Sequence, residues 1–119
     1  MTIPQTPHTP LVVADFDQGK ITVQGKIIPE NPDEFFNQLE ILTDLSFKKN
    51  TQPVLNIDFQ LDYFNTTSSK MLARYLKSII REGLKINWTY EKGDDSIREA
   101  GEDYATLLEF PFNIIEVEN

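Results

Sequence analysis

Leu55-Asn56-Ile57-Asp58-Phe59-Gln60-Leu61-Asp62-Tyr63 alternates apolar and polar residues without a break, and Phe64-Asn65-Thr66-Thr67-Ser68-Ser69-Lys70 follows it directly. The first part has the period of two expected of a strand with Leu55, Ile57, Phe59, Leu61 and Tyr63 in a core and the other face open. A central strand covered on both sides would be apolar on both faces. This spacing therefore predicts a sheet with helices on one side only. In the second part four hydroxyl residues stand ahead of Met71, Leu72, Tyr75, Leu76, Ile79 and Ile80. That pattern predicts a helix from about Thr67 to Glu82, closed by Gly83 at C′. The hydroxyl run thus lies at the carboxyl end of a strand and the amino end of a helix. Ser, Thr and Asn are ordinary N-caps. A phosphate at the same place would meet unpaired backbone N–H groups and the positive end of the helix dipole. Cap and phosphorylation site are the two readings of this run.

Upstream, Leu11 to Asp17 reads as a strand, Asp17-Gln18-Gly19-Lys20 as a tight turn, and Ile21, Val23 and Ile27 as the inner face of a second strand. Asn31 and Pro32 then suit the N-cap and first position of a helix whose inner stripe is Phe35, Phe36, Leu39, Leu42 and Leu45. Downstream, Leu84, Ile86, Trp88 and Tyr90 alternate with Lys85, Asn87 and Thr89. Asp94 or Asp95 caps a third helix, with Ile97, Ala100, Tyr104 and Leu107 or Leu108 facing inward, and residues 113–118 form a last strand. Gly101 counts against that helix by up to about 1 kcal/mol relative to alanine. Residues 1–10, with three prolines and no periodicity, read as a flexible N-terminal arm ahead of one domain over 11–119. The expected fold is α/β: a mixed sheet of about five strands, parallel where helices intervene, with about three helices on one face.

A chain of 119 residues fits one core and needs no staple. It contains no cysteine, which excludes disulfides, thiol catalysis and zinc–thiolate sites and suits a reducing cytoplasm. A net charge of −8 argues against nucleic acid as a partner. No apolar run approaches the length of a membrane span. Within this acidic chain, Lys70, Arg74, Lys77 and Arg81 line up on one face of the second predicted helix as a candidate docking surface, although such a stripe is usually just the solvated side.

Catalysis is not expected, and no cofactor or metal is. Serine and threonine nucleophiles need a base, and the one histidine, His8, lies in the arm. Asp58, Asp62, Asp94 and Asp95 at one edge are the residues a Mg²⁺-dependent enzyme would use, while an unmodified scaffold would bind through the open sheet face.

Tyr63-Phe64-Asn65-Thr66-Thr67-Ser68-Ser69-Lys70, with Pro29-Glu30-Asn31 upstream and Trp88-x-Tyr90 and Gly101-Glu102-Asp103 downstream, resembles the SiaC family of bacterial regulatory phosphoproteins. The likeness runs from about Thr9 to Phe112. It implies a fold similar to STAS domains of the anti-sigma-factor-antagonist type and a role in a partner-switching pathway. A kinase with a histidine-kinase-like ATP fold would modify the threonine after the motif Asn, here Thr66, with Thr67 and Ser68 as alternates. A PP2C-type phosphatase would remove the phosphate, and the unmodified form would bind a target such as a diguanylate cyclase, linking the chain to cyclic di-GMP and biofilm control. Tyr63, Asn65, Thr67, Ser68, Ser69, Lys70, Arg74, Lys77, Glu30 and Asn31 would form the partner and kinase surface.

Overall fold

The computed structural model describes residues 1–29 and 31–118, so Glu30 lies outside the described residues. The elements in order are β1 (Thr2–Ile3), β2 (Leu11–Asp15), β3 (Lys20–Ile27), α1 (Asp33–Lys49), β4 (Leu55–Phe64), α2 (Thr66–Ile79), β5 (Leu84–Glu91), α3 (Asp95–Leu108) and β6 (Phe112–Val117). The strands form one sheet in sequential order, antiparallel from β1 to β3 and parallel from β3 to β6. Parallel pairing thus appears wherever a helix intervenes. The sheet has six strands rather than about five.

The extra strand comes from the segment expected to be a loose arm. Thr2 pairs with Val13 and Ile3 with Val12, and Met1 exchanges two backbone bonds with Ala14. Thr6 Oγ1 then accepts from the N–H groups of His8 and Thr9, and the His8 carbonyl accepts from Ile28 N–H at 2.8 Å. A two-residue strand has no period to read. What holds this segment is main-chain bonding and a threonine turn, neither of which leaves an apolar signature.

Inner-face residues of β2–β5, including Ile21, Val23, Leu55, Ile57, Phe59, Ile86 and Trp88, are buried against the helices. α1 contributes Phe35, Phe36, Leu39 and Leu42, and α2 contributes Leu72, Tyr75, Leu76 and Ile79. These two helices are joined in the interior by a 2.7 Å bond between the hydroxyls of Thr43 and Tyr75. The opposite face of the sheet carries a polar chain: Asn113 donates to Asn87, Asn87 donates to Asp58, and Asp58 pairs with Lys20 at 3.1 Å. Helices on one face, as the alternation in β4 predicts, follow from this division.

Two expectations fail for identifiable reasons. The alternation of β4 places Tyr63 inside, yet Tyr63 is 55% exposed. Leu61 pairs with Gly25 and Tyr63 with Lys26, so Asp62 is the extra residue of a bulge opposite Gly25, whose φ is +124°. The bulge flips the faces: Tyr63 turns out and Phe64 turns in, 6.4 Å from both Trp88 and Tyr104. Helix α2 also stops at Ile79, short of Glu82, and Ile80 is already extended. Gly83 takes φ +82° in the following turn instead of serving as C′, and its carbonyl accepts from Leu55 N–H, fixing that turn to the start of β4. Arg81 accordingly leaves the basic face of α2 and lies over the Phe47 ring, 4.0 Å from its centroid.

Candidate functional site

The bulge in β4 delivers Asn65 to the head of α2 in an extended conformation (φ −80°, ψ 172°). Its side-chain oxygen accepts from Ser68 N–H at 2.9 Å, its backbone N–H donates to the Ile27 carbonyl, and its carbonyl accepts from Ser69 N–H. The side-chain amide points at the Pro29 carbonyl, 3.5 Å away. Asn65 therefore locks the first turn of α2 to the end of β3.

With that cap in place, the four hydroxyls take three different roles. Thr66 and Thr67, the first two helical residues, are exposed. Ser68 is fully buried, and its hydroxyl has no partner among the described residues. Ser69 is half-buried, and both its hydroxyl and its carbonyl meet the Tyr104 hydroxyl, at 3.0 and 2.9 Å. Thr66 and Thr67 are thus open to solvent in the folded chain, and the Ser68 hydroxyl is not. Lys70, Arg74 and Lys77 are exposed along the helix, and Tyr63 is exposed beside its head. Asn31 is also exposed. It accepts from Asp33 N–H at 3.2 Å in a turn ahead of α1, but the N-cap position itself falls one residue later than expected, at Pro32, whose carbonyl accepts the first helical bond from Phe36 and which has no side-chain cap bond.

Charge distinguishes this helix end from the others. The first turn of α1 holds Asp33 and Glu34; α3 starts with Asp95 behind the capping carboxylate of Asp94. The first turn of α2 has no acid, and its cap is a neutral amide. The positive end of the α2 dipole is thus left without a countercharge from its own turn.

The support beneath the site was not singled out as such from the sequence. Phe64, Trp88, Tyr104 and Phe112 form an aromatic cluster behind the α2 head, with Trp88 centred 5.7 Å from Tyr104 and 6.2 Å from Phe112. The Trp88 indole donates to the Ile97 carbonyl at 2.7 Å. Gly101 sits so close that an added Cβ would lie 2.4 Å from the indole. Gly101 is the contact that seats α3, and the spacing Ile97, Gly101, Tyr104 on one helical face was the available signal. Burial pushes the Tyr104 phenol up from its ordinary value, and the bond to Ser69 opposes that shift.

The carboxylates considered for a metal are engaged separately. Asp58 is paired with Lys20 on the open face, Asp94 caps α3 through Ile97 N–H at 3.1 Å, and Asp62 is exposed at the bulge. Among the described residues no group of three His, Cys, Asp or Glu side chains is placed to share a metal ion, and no helix is long and apolar enough to cross a membrane.

This arrangement can be set beside known proteins. A relative from Pseudomonas aeruginosa (strain UCBPP-PA14), itself uncharacterised, is 30% identical over 94% of this chain and 92% of its own length. A chain in the crystal structure of the diguanylate cyclase SiaD in complex with its activator SiaC, from Pseudomonas aeruginosa, superposes with a TM-score of 0.84 at 27% identity, covering 98% of this chain and 99% of that one. Apo-SiaC from the same organism gives 0.76 at 28% identity over 97% of each chain. The profile of the SiaC family regulatory phosphoproteins matches residues 3–117. On that match, which takes in the capped hydroxyl run and the strands and helices that hold it, the chain belongs to the SiaC family of regulatory phosphoproteins.

Proposed function

We propose that the chain is a non-enzymatic, phosphorylation-gated binding protein, with Thr66 as the acceptor and a diguanylate cyclase as the target of the unmodified form. The observation that carries this reading is the head of α2: two threonines facing solvent on a rigidly capped helix end that has no acid of its own. A phosphate there adds roughly −1.5 to −2 charges where the dipole and free N–H groups favour them, so it can be installed without unfolding the turn. The same charge repels an acidic partner surface and crowds a close-fitting one. Similarity to the activator in a cyclase complex supports the choice of target. The remaining parts of the proposal are a kinase with a histidine-kinase-like ATP fold, a PP2C-type phosphatase, a fold of the STAS-like, anti-sigma-factor-antagonist type and a cytoplasmic setting.

Mass spectrometry of the protein from its native host, with and without phosphatase treatment, tests the acceptor. Phosphate on Thr66 is expected; phosphate confined to Thr2 or Thr9 overturns the reading. For the gate, Thr66→Asp is expected to weaken capture of the cyclase while Thr66→Ala retains it, and equal capture by both counts against gating.

A further inference from the structure

Of the two leucines that could face inward at the end of α3, Leu108 packs against the core and Leu107 points outward, beside an unfilled groove. Leu107 is 69% exposed and, with Leu108, forms one wall of a depression of about 590 Å³ between α2 and the end of α3. Ala73 and Ile80 complete its apolar surface, Arg74 and Lys77 stand on the α2 rim, and Glu109 lies on the other. Lys70, Arg74 and Lys77 form no ion pair with the described residues, in a chain whose net charge is −8. An apolar floor beside unpaired cations is the complement of an amphipathic helix with an apolar stripe and acids along one flank.

We propose that this groove docks a single amphipathic helix of a partner protein, its acidic flank on Arg74 and Lys77 and its neutral or basic flank toward Glu109. The inference rests on the reading of the chain as a partner-binding regulator and names the chemistry of what it binds. It also links the groove to the phosphorylation site. Thr66, Lys70, Ala73, Arg74 and Lys77 follow helical spacing along one face of α2, so a phosphate on Thr66 stands one turn from Lys70 and in line with the basic rim. That phosphate draws Lys70 toward itself and repels the acidic flank of an approaching helix.

Two fluorescent peptides of about 15 residues, helical by design, share one leucine stripe and carry either glutamate or lysine on the flank. The full chain is expected to bind the glutamate peptide saturably and the lysine peptide at least about tenfold more weakly. Amide shifts should centre on Ala73, Lys77, Ile80 and Leu107. The exposed-residue variants Arg74→Glu with Lys77→Glu, and separately Leu107→Asn, should each lower affinity for the glutamate peptide about tenfold with the circular dichroism spectrum unchanged. No saturable binding of the glutamate peptide, equal binding of the two peptides, shifts elsewhere, or a groove found closed by a second copy in sedimentation, overturns the proposal. Binding that persists undiminished in Thr66→Glu supports the groove and counts against phosphorylation gating, so the two readings fail separately.

Discussion

Helices α2 and α3 begin alike and are charged in opposite ways. Each follows a parallel strand of the sheet, and each is capped by an Asx oxygen that accepts from the N–H three residues on, Asn65 to Ser68 at 2.9 Å and Asp94 to Ile97 at 3.1 Å. At α3 the cap is a carboxylate with Asp95 behind it, so the dipole is answered by the sequence itself. At α2 the cap is an amide, followed by two exposed threonines. One helix end is electrostatically complete; the other is complete only in its hydrogen bonds. A chain with 19 acidic residues that keeps all of them out of that first turn leaves room for a charge added later.

The two ends also depend on each other, and the largest expected effect breaks that dependence. Gly101→Ala places a Cβ inside the Trp88 indole and forces α3 away from the sheet. Overpacking costs about 1–3 kcal/mol, and the better helix propensity of alanine returns up to about 1 kcal/mol. A net loss of about 1–2 kcal/mol is expected, read from a lowered urea midpoint at unchanged m-value; a stabilised variant would show that α3 seats in some other way. Because Tyr104 bonds to Ser69, the amides of the α2 first turn should also lose hydrogen-exchange protection.

Smaller losses separate the caps from what they support. Asn65→Ala and Asp94→Ala each remove one cap bond and should each cost about 1 kcal/mol in denaturant titrations. Tyr104→Phe removes the hydroxyl that joins α3 to Ser69 and should cost about 1 kcal/mol. Its effect has a pH signature. Burial raises the Tyr104 phenol above its ordinary value, so the folded state holds that proton longer than the unfolded chain does. Its contribution is complete below the ordinary phenol value of about 10 and is lost as the pH rises through the raised folded value. Tyr104→Phe should therefore lessen the alkaline decline in stability. The decline persists in part, because burial raises the interior Tyr75 phenol in the same direction. An identical alkaline profile in both proteins would place Tyr104 outside that titration.

How far the sequence exposes this design depends on what each residue announces. The alternation of Leu55 to Leu61 states the half-open sheet outright, and the apolar stripe of α2 places its helix. The sequence also announces a cap at the hydroxyl run, because cap chemistry is local, but the group that makes the bond is the neighbouring Asn65 amide and not a hydroxyl. The local pattern fails where distant contacts decide. Tyr63 and Phe64 exchange faces because of a bulge set by Gly25, about forty residues earlier in the chain. Gly101 reads as a weak point of a helix because the indole it touches belongs to another element. Ser68 looks like a third accessible hydroxyl until the turn is built and buries it. The hydroxyl run was legible as a cluster at a helix start, while its division into exposed, buried and bonded hydroxyls needed the tertiary structure.

The smallest effect tests the comparison most directly, by exchanging the two caps. Asn65→Asp puts a carboxylate on a helix end that lacks one, keeps the bond to Ser68, and should stabilise the fold by about 0.5 kcal/mol at low salt. Asp94→Asn removes a charge from a first turn that still contains Asp95 and should cost a similar or smaller amount. Raising the salt concentration should shrink both changes toward zero, since each is a charge–dipole effect close to solvent. The opposite signs are the point of the pair: if both substitutions destabilise, the α2 head has no unanswered positive potential. If Asn65→Asp alone stabilises and also slows phosphoryl transfer to Thr66, the carboxylate has taken up part of the field that otherwise favours the phosphate.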